Sequence, residues 1–114
     1  MRRVLSRIMS YGLLGIEGFP VTVEVDVANG LPAYETVGLP DAVVRESKER
    51  VRAALKNSGF AYPASRITVN LAPADSKKEG SVYDLPIALG LLEATGKLPP
   101  QACADLMVVG ELSL

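Results

Sequence analysis

The chain has no histidine, no tryptophan and a single cysteine, Cys103, among its 114 residues. These gaps exclude an intrachain disulfide, a His-dependent catalytic triad and a Cys/His zinc site. An excess of one charge is also missing: 12 Lys and Arg stand against 13 Asp and Glu, for a net charge of −1. A dedicated nucleic-acid module carries a basic surplus, so any anion binding here has to be local. Aromatics are limited to four Tyr and two Phe. The core must therefore come from Val, Leu, Ile and Ala, and an RRM-like platform of stacked bases is excluded. No apolar run approaches ~18 residues. The start, Met1-Arg-Arg-Val-Leu-Ser-Arg, has neither the continuous apolar stretch nor the small-residue cleavage site of a secretory signal. A cytoplasmic protein with no membrane partner is expected.

What is present is an ordinary globular composition, 48% hydrophobic and 22% charged, too apolar for a disordered chain and about the length of one domain. Val4 to Ile16 mixes apolar and small residues and is interrupted by Gly12 and Gly15, which suits a strand or bent ribbon. Val21, Val23, Val25 and Val27 then alternate strictly with Thr22, Glu24 and Asp26, the clearest strand in the chain. Asn29-Gly30 is a favoured hairpin dipeptide, and Ala33–Val37 is expected to return antiparallel beside that strand. Pro40 and Asp41 suit a helix start, and Val43, Val44, Val51, Ala54 and Leu55 recur at helical spacing up to a stop at Ser58-Gly59. The charged residues on the other side of this helix, including a Glu46–Arg50 pair four residues apart, read as a solvated surface rather than a DNA-contacting face. Ile67, Val69 and Leu71 mark a fourth strand. Leu85, Ala88, Leu89 and Leu92 mark a mostly buried second helix, with Pro86 tolerable near its start. Leu106–Leu112 reads as a final apolar strand. The expected order is β-β-β-α-β-α-β, an α+β domain. An apolar strand with no capping element so near Leu114 leads us to expect a domain truncated at its C-terminal end.

Chemistry-bearing patterns are few. Nothing fits a Walker A loop or a Gly-rich dinucleotide loop, and the carboxylates form neither a metal cage nor an acid/base couple. No catalytic, cofactor-binding or metal-binding residue is expected in this chain. The polar connection from Asp75 to Asp84 stands out between two buried elements. Lys77 and Lys78 there are candidates for phosphate contacts, and Ser76 or Ser81 for a nucleophile with a lysine base. Asp84 reads as an N-cap or first-turn acid, and Cys103 as an inert thiol with no histidine to activate it.

Several long strings carry a family resemblance. They are Val-Glu-Val-Asp-Val-Ala-Asn-Gly-Leu-Pro at 23–32, the segment from Thr36 through Gly-Leu-Pro-Asp and Arg-Glu-Ser-Lys-Glu-Arg to Phe60, and Arg-Ile-Thr-Val-Asn-Leu-Ala-Pro-Ala-Asp at 66–75. Lys-Glu-Gly at 78–80, Asp-Leu-Pro-Ile-Ala-Leu-Gly at 84–90 and Val-Gly-Glu-Leu-Ser-Leu at 109–114 complete them. In this order and over nearly the whole chain they resemble the N-terminal domain of the ComM/YifB proteins, the Mg-chelatase-like AAA+ ATPases. The resemblance implies that residues 1–114 are the N-terminal portion of one Lon protease-like domain, a fold similar to the second domain of ribosomal protein S five. It also implies an AAA+ module beyond residue 114, supplying ATP and Mg2+ binding in the full-length protein. The activity implied is that of a hexameric, ATP-driven helicase promoting DNA branch migration in natural transformation.

Set against the Lon pattern, Lys78-Glu-Gly80 corresponds to the start of the segment that holds the nucleophilic serine. The serine position falls on Val82, with Ser81 in place of a proline, and the partner lysine would lie past Leu114. Peptidase activity is disfavoured on both counts. The expected role is a non-catalytic domain that helps a ring assemble or hold DNA, with Lys77, Lys78 and Arg66 facing the nucleic acid. The alternatives are a purely structural oligomerisation module and a Ser-Lys hydrolase using Ser81.

Overall fold

A computed structural model describes residues 4–114, so the Met1-Arg-Arg start that entered the signal-peptide argument lies outside the described residues. It is a mixed α/β arrangement of one four-stranded sheet, β1 (Val4–Leu14), β2 (Glu17–Ala28), β3 (Ala33–Val37) and β4 (Arg66–Ala72), in the order β1-β2-β4-β3. The helices are α1 (Ala42–Arg45), α2 (Ser47–Asn57) and α3 (Asp84–Ala94). Period-2 alternation explains the inner strands. Val21, Val23, Val25 and Val27 of β2 are buried on one face, paired with Ser10, Ile8, Ser6 and Val4 of β1. On the other side Val23, Val25 and Val27 pair with Leu71, Val69 and Ile67 of β4. The same face receives Val51 and Leu55 of α2 and Ile87, Ala88 and Leu91 of α3, which together form the core.

The structure corrects the expected hairpin at Asn29-Gly30. β3 does not return beside β2; β4 takes that place antiparallel, and β3 lies outside it, parallel to β4. Burial explains the exchange. β4 offers three large apolar side chains to the core, whereas β3 offers Tyr34 and Thr36 and is half-exposed throughout. The more apolar strand goes to the centre, and a parallel neighbour is then reached by a helical crossover.

The single helix expected from Asp41 is broken at Glu46. Asp41 caps α1 by accepting a hydrogen bond from Val44 N at 2.7 Å. Arg50 then donates from a guanidinium nitrogen to Val43 O at 2.7 Å, taking the carbonyl that an unbroken helix would give to Ser47 N. α3 is buried as expected, with Pro86 in its first turn, where a missing N–H is harmless. Gly90 lets it approach the sheet: a Cβ there would sit 2.6 Å from Val25 Cγ2, and Ser6 Oγ donates to Gly90 O at 2.8 Å.

Leu106–Leu112 is not a regular strand either. It runs as an extended tail, bridged to β1 only at Met9–Met107 and held by Val108 N donating to Met9 O at 2.8 Å. Further on it lies against the start of α3, with Leu85 N donating to Gly110 O and Gly110 N to Val82 O. Among the described residues no helix is long and apolar enough to cross a membrane.

Candidate functional site

The family strings meet in space at two polar junctions. At the first, the turn after β3 faces the loop after β4. Gly38 has φ +107°, and a Cβ there would collide with the Leu71 carbonyl, so only glycine permits this approach. Leu39 follows in the left-handed region at φ 58°. It is held there by Lys78 N donating to Leu39 O at 3.0 Å, while Asp41 N donates to Lys78 O at 2.9 Å. The Lys78 side chain is wholly buried. Its ammonium donates to Gly38 O at 2.9 Å and to Pro73 O. Burial pushes the Lys78 pKa down, with Asp75 opposing. Asp41 closes the junction by accepting Gly80 N at 3.2 Å on its second carboxylate oxygen.

At the second junction, Arg50 of α2 reaches across to Asp84 of α3. Its Nε donates to Asp84 Oδ2 at 2.6 Å and its Nη2 to Oδ1 at 3.0 Å, a bidentate fork on a fully buried carboxylate. Leu112 N donates to the same carboxylate at 3.1 Å, so three segments converge there. The hydrogen bonds that Arg50 donates to Asp84 push its pKa up, against desolvation. Asp84 is thus a first-turn acid, but the helix N-cap is Tyr83, and Asp84 spends its oxygens on Arg50 and the tail. Glu46 stays an electrostatic neighbour of Arg50 rather than its hydrogen-bonded partner.

The residues singled out for DNA or catalysis do not form one site. Lys78 is removed from the DNA-facing set because its ammonium is consumed inside the protein. Lys77, beside it, is 61% exposed and lies 3.8 Å from the equally exposed Glu79. Arg66 is exposed at the opposite end of β4, six residues or about 20 Å of strand from Ala72. Ser81 accepts Asp84 N through its carbonyl, and the Lys78 ammonium is committed to two carbonyls rather than to a serine. Cys103 is buried.

A feature not anticipated from the sequence is a cleft between α2 and the start of β3, lined by Tyr34, Lys48, Arg52, Tyr62 and Ser65. The one signal for it was the spacing of Lys48, Arg52 and Lys56, four residues apart along a single helix face. The Arg52 guanidinium lies 5.5 Å from the centroid of the Tyr62 ring.

Residues 23–114 match the family described as subunit ChlI of Mg-chelatase. The chain is 49% identical over 110 residues to YifB of Escherichia coli (strain K12), covering 96% of this chain and 22% of that protein. It is 47% identical over 110 residues to the competence protein ComM of Haemophilus influenzae, with the same shares of each. A YifB of Salmonella typhimurium is 50% identical over 101 residues, 89% of this chain and 20% of the relative. The chain spans about a fifth of the length of these relatives. On the match over most of its length, the chain belongs to the Mg-chelatase ChlI-like family that includes YifB and ComM.

Proposed function

We propose that this chain is a non-catalytic, Lon-like domain of a cytoplasmic ComM-type AAA+ ATPase, supporting ring assembly and DNA engagement in a hexameric branch-migration helicase. The observation that carries the non-catalytic part is the state of Lys78. A general base needs a free lone pair near its nucleophile. The Lys78 ammonium instead donates to Gly38 O and Pro73 O, and valine occupies the position matched to serine. The DNA and ring-assembly parts are supported by the relationship to ComM, a competence protein. ATP and Mg2+ belong to the expected module outside these residues. Lys77 and Arg66 remain the exposed cations proposed to face DNA.

A second reading, an oligomerisation module, is favoured by the apolar rim. Leu13, Leu14 and Ile16 at the β1–β2 hairpin are largely exposed, as are Val109 and Leu114 of the tail. Exposed apolar surface of this kind marks association sites. The test compares ring assembly and DNA affinity of the ATPase with and without residues 1–114, alongside Arg66→Glu and Lys77→Glu. Loss of both properties on removal, with weakened DNA binding in the charge-reversed variants, supports the first reading. Lost assembly with unchanged DNA affinity supports the second. Peptide or ester hydrolysis that disappears in Ser81→Ala overturns both.

A further inference from the structure

We infer that the cleft formed by Tyr34, Tyr62, Lys48 and Arg52 is a binding site for a phosphate group. This goes beyond the proposed role in a ring motor and does not depend on it.

The cleft has a volume of about 170 Å³ and continues past Arg52 and Tyr62 into a second hollow of about 250 Å³ flanked by Lys56. Lys48 and Arg52 line the cleft, and Arg52 and Lys56 line the hollow beyond it. The salt bridges among the described residues are Arg7–Glu24, Arg50–Asp84 and Lys77–Glu79, so no carboxylate pairs with any of these three cations. Glu49, on the same helix, acts electrostatically on Tyr62, and Asp84, itself held by Arg50, acts on Tyr34, so three cations stand against these two carboxylates. Resting beside the Tyr62 ring, the planar Arg52 guanidinium is restrained while its N–H edge stays free for an oxyanion. That edge is the fork that recognises phosphate.

The hydroxyls supply an independent observation. Tyr34 and Tyr62 both line the cleft, and the Tyr62 hydroxyl oxygen is buried with no hydrogen-bond partner. The Tyr34 hydroxyl faces the hydroxyls of Ser47 and Thr36, which serve it as local partners, so Tyr62 carries the open hydroxyl of the cleft. Buried polar atoms are almost always paired, so the Tyr62 hydroxyl is a donor awaiting an acceptor. Burial pushes the Tyr34 pKa far up, so its hydroxyl keeps its proton and remains a donor. An oxyanion supplies an acceptor to the Tyr62 hydroxyl and charge to the cations together. A neutral ligand would leave the cations unanswered, and a carboxylate lacks the third oxygen that a set of donors on several sides can use.

The phosphate can belong to a free small molecule or to the backbone of a single strand. Backbone amide NMR of the chain, titrated separately with inorganic phosphate and with a short oligothymidylate, tests the site and separates these sources. Saturable shifts at Tyr34, Lys48, Arg52 and Tyr62 are expected, with affinity weakened roughly tenfold in Arg52→Ala, the worth of one charge-assisted contact. Lys48→Gln should weaken it as well, and Arg52→Lys should restore it in part. Melting temperatures of these variants separate a lost contact from a lost fold. Saturation by inorganic phosphate identifies a small-molecule site; saturation only by the oligonucleotide, with strong salt dependence, identifies a strand backbone. Absence of saturation with either probe overturns the inference. Equal binding of a polyglutamate peptide, or equal affinity in Arg52→Ala, overturns it too.

Discussion

The Lys78–Arg50–Asp84 junctions and the Lys48–Arg52–Tyr62 cleft are built from the same residue types, yet their charges are spent differently. At the junctions, Lys78 serves two carbonyls and Arg50 serves Asp84 and Val43 O, so the cations are consumed in joining the turn after β3, the loop after β4 and α3. In the cleft, the cations pair with no carboxylate among the described residues and the Tyr62 hydroxyl is unpartnered. A charged group whose bonds are satisfied internally is part of the architecture; one whose bonds are open is available to a ligand. Lys77 and Lys78, adjacent in sequence, show the same division at single-residue scale, one exposed and the other buried.

Substitution at the junction should have the largest effect. Asp84→Ala leaves the Arg50 guanidinium and Leu112 N without their acceptor and is expected to cost about 3–5 kcal/mol. Urea denaturation would show this, and a loss below 1 kcal/mol would mean that the junction does not hold the fold. Lys78→Met keeps the bulk of the stem but strips the Gly38 and Pro73 carbonyls of their donor. A loss of about 1–3 kcal/mol is expected in the same assay, partly offset because the ammonium no longer has to be buried. If Lys78→Met is instead more stable than the parent, desolvation outweighs the two hydrogen bonds and the first junction is weaker than the second.

The cleft should behave in the opposite way. Lys48→Ala and Lys56→Ala break no ion pair, so stability should stay within ~0.5 kcal/mol of the parent. A larger loss by thermal unfolding would show that these cations are structural after all and would erase the contrast.

Alkaline titration sharpens the comparison further. Burial raises the pKa of Tyr34 in the folded state above its ordinary value of 10.0, and raises Tyr62 and Tyr83 in the same direction. The folded protein then holds protons that the unfolded chain releases, so this stability is present below pH 10 and is lost as pH rises above it. Lys78 has the opposite sign: its lowered pKa makes stability rise with pH until the unfolded lysine deprotonates near 10.5. Urea midpoints measured between pH 8 and 11 should fall above pH 10, and Tyr34→Phe should flatten that fall. An unchanged slope in Tyr34→Phe would show that the Tyr34 hydroxyl is not buried as described.

Much of the fold is legible in local pattern. The Val21–Val27 and Ile67–Leu71 alternations and the apolar spacing of α3 each reflect a one-residue rule, side chains pointing inward at period 2 or 3.6. The strands and the long helices follow from that rule with few errors. Partner choice does not. Asn29-Gly30 is a good hairpin dipeptide, yet β4 displaces β3 from β2 because burying Ile67, Val69 and Leu71 outweighs a local turn preference. The apolar character of 106–112 marks burial of Leu112 and Val108 against the core, not a ladder of strand hydrogen bonds.

The candidate sites divide along the same line. Residue strings were enough to show the family and to exclude a serine at position 82, because chemistry requires particular atoms at particular places. They could not show that Lys78 points inward while Lys77 points out, nor that Arg50 bypasses Glu46, four residues away, for Asp84, 34 residues away. They also could not bring Tyr34 and Tyr62 to the face of α2 that carries Lys48 and Arg52. Composition and periodicity thus determined the apolar faces of this protein, since burial is a property each residue carries with it. Which polar groups are paired, and which are left for a ligand, was decided only by the tertiary structure, because a hydrogen bond or an ion pair exists only where distant segments meet at a few ångströms.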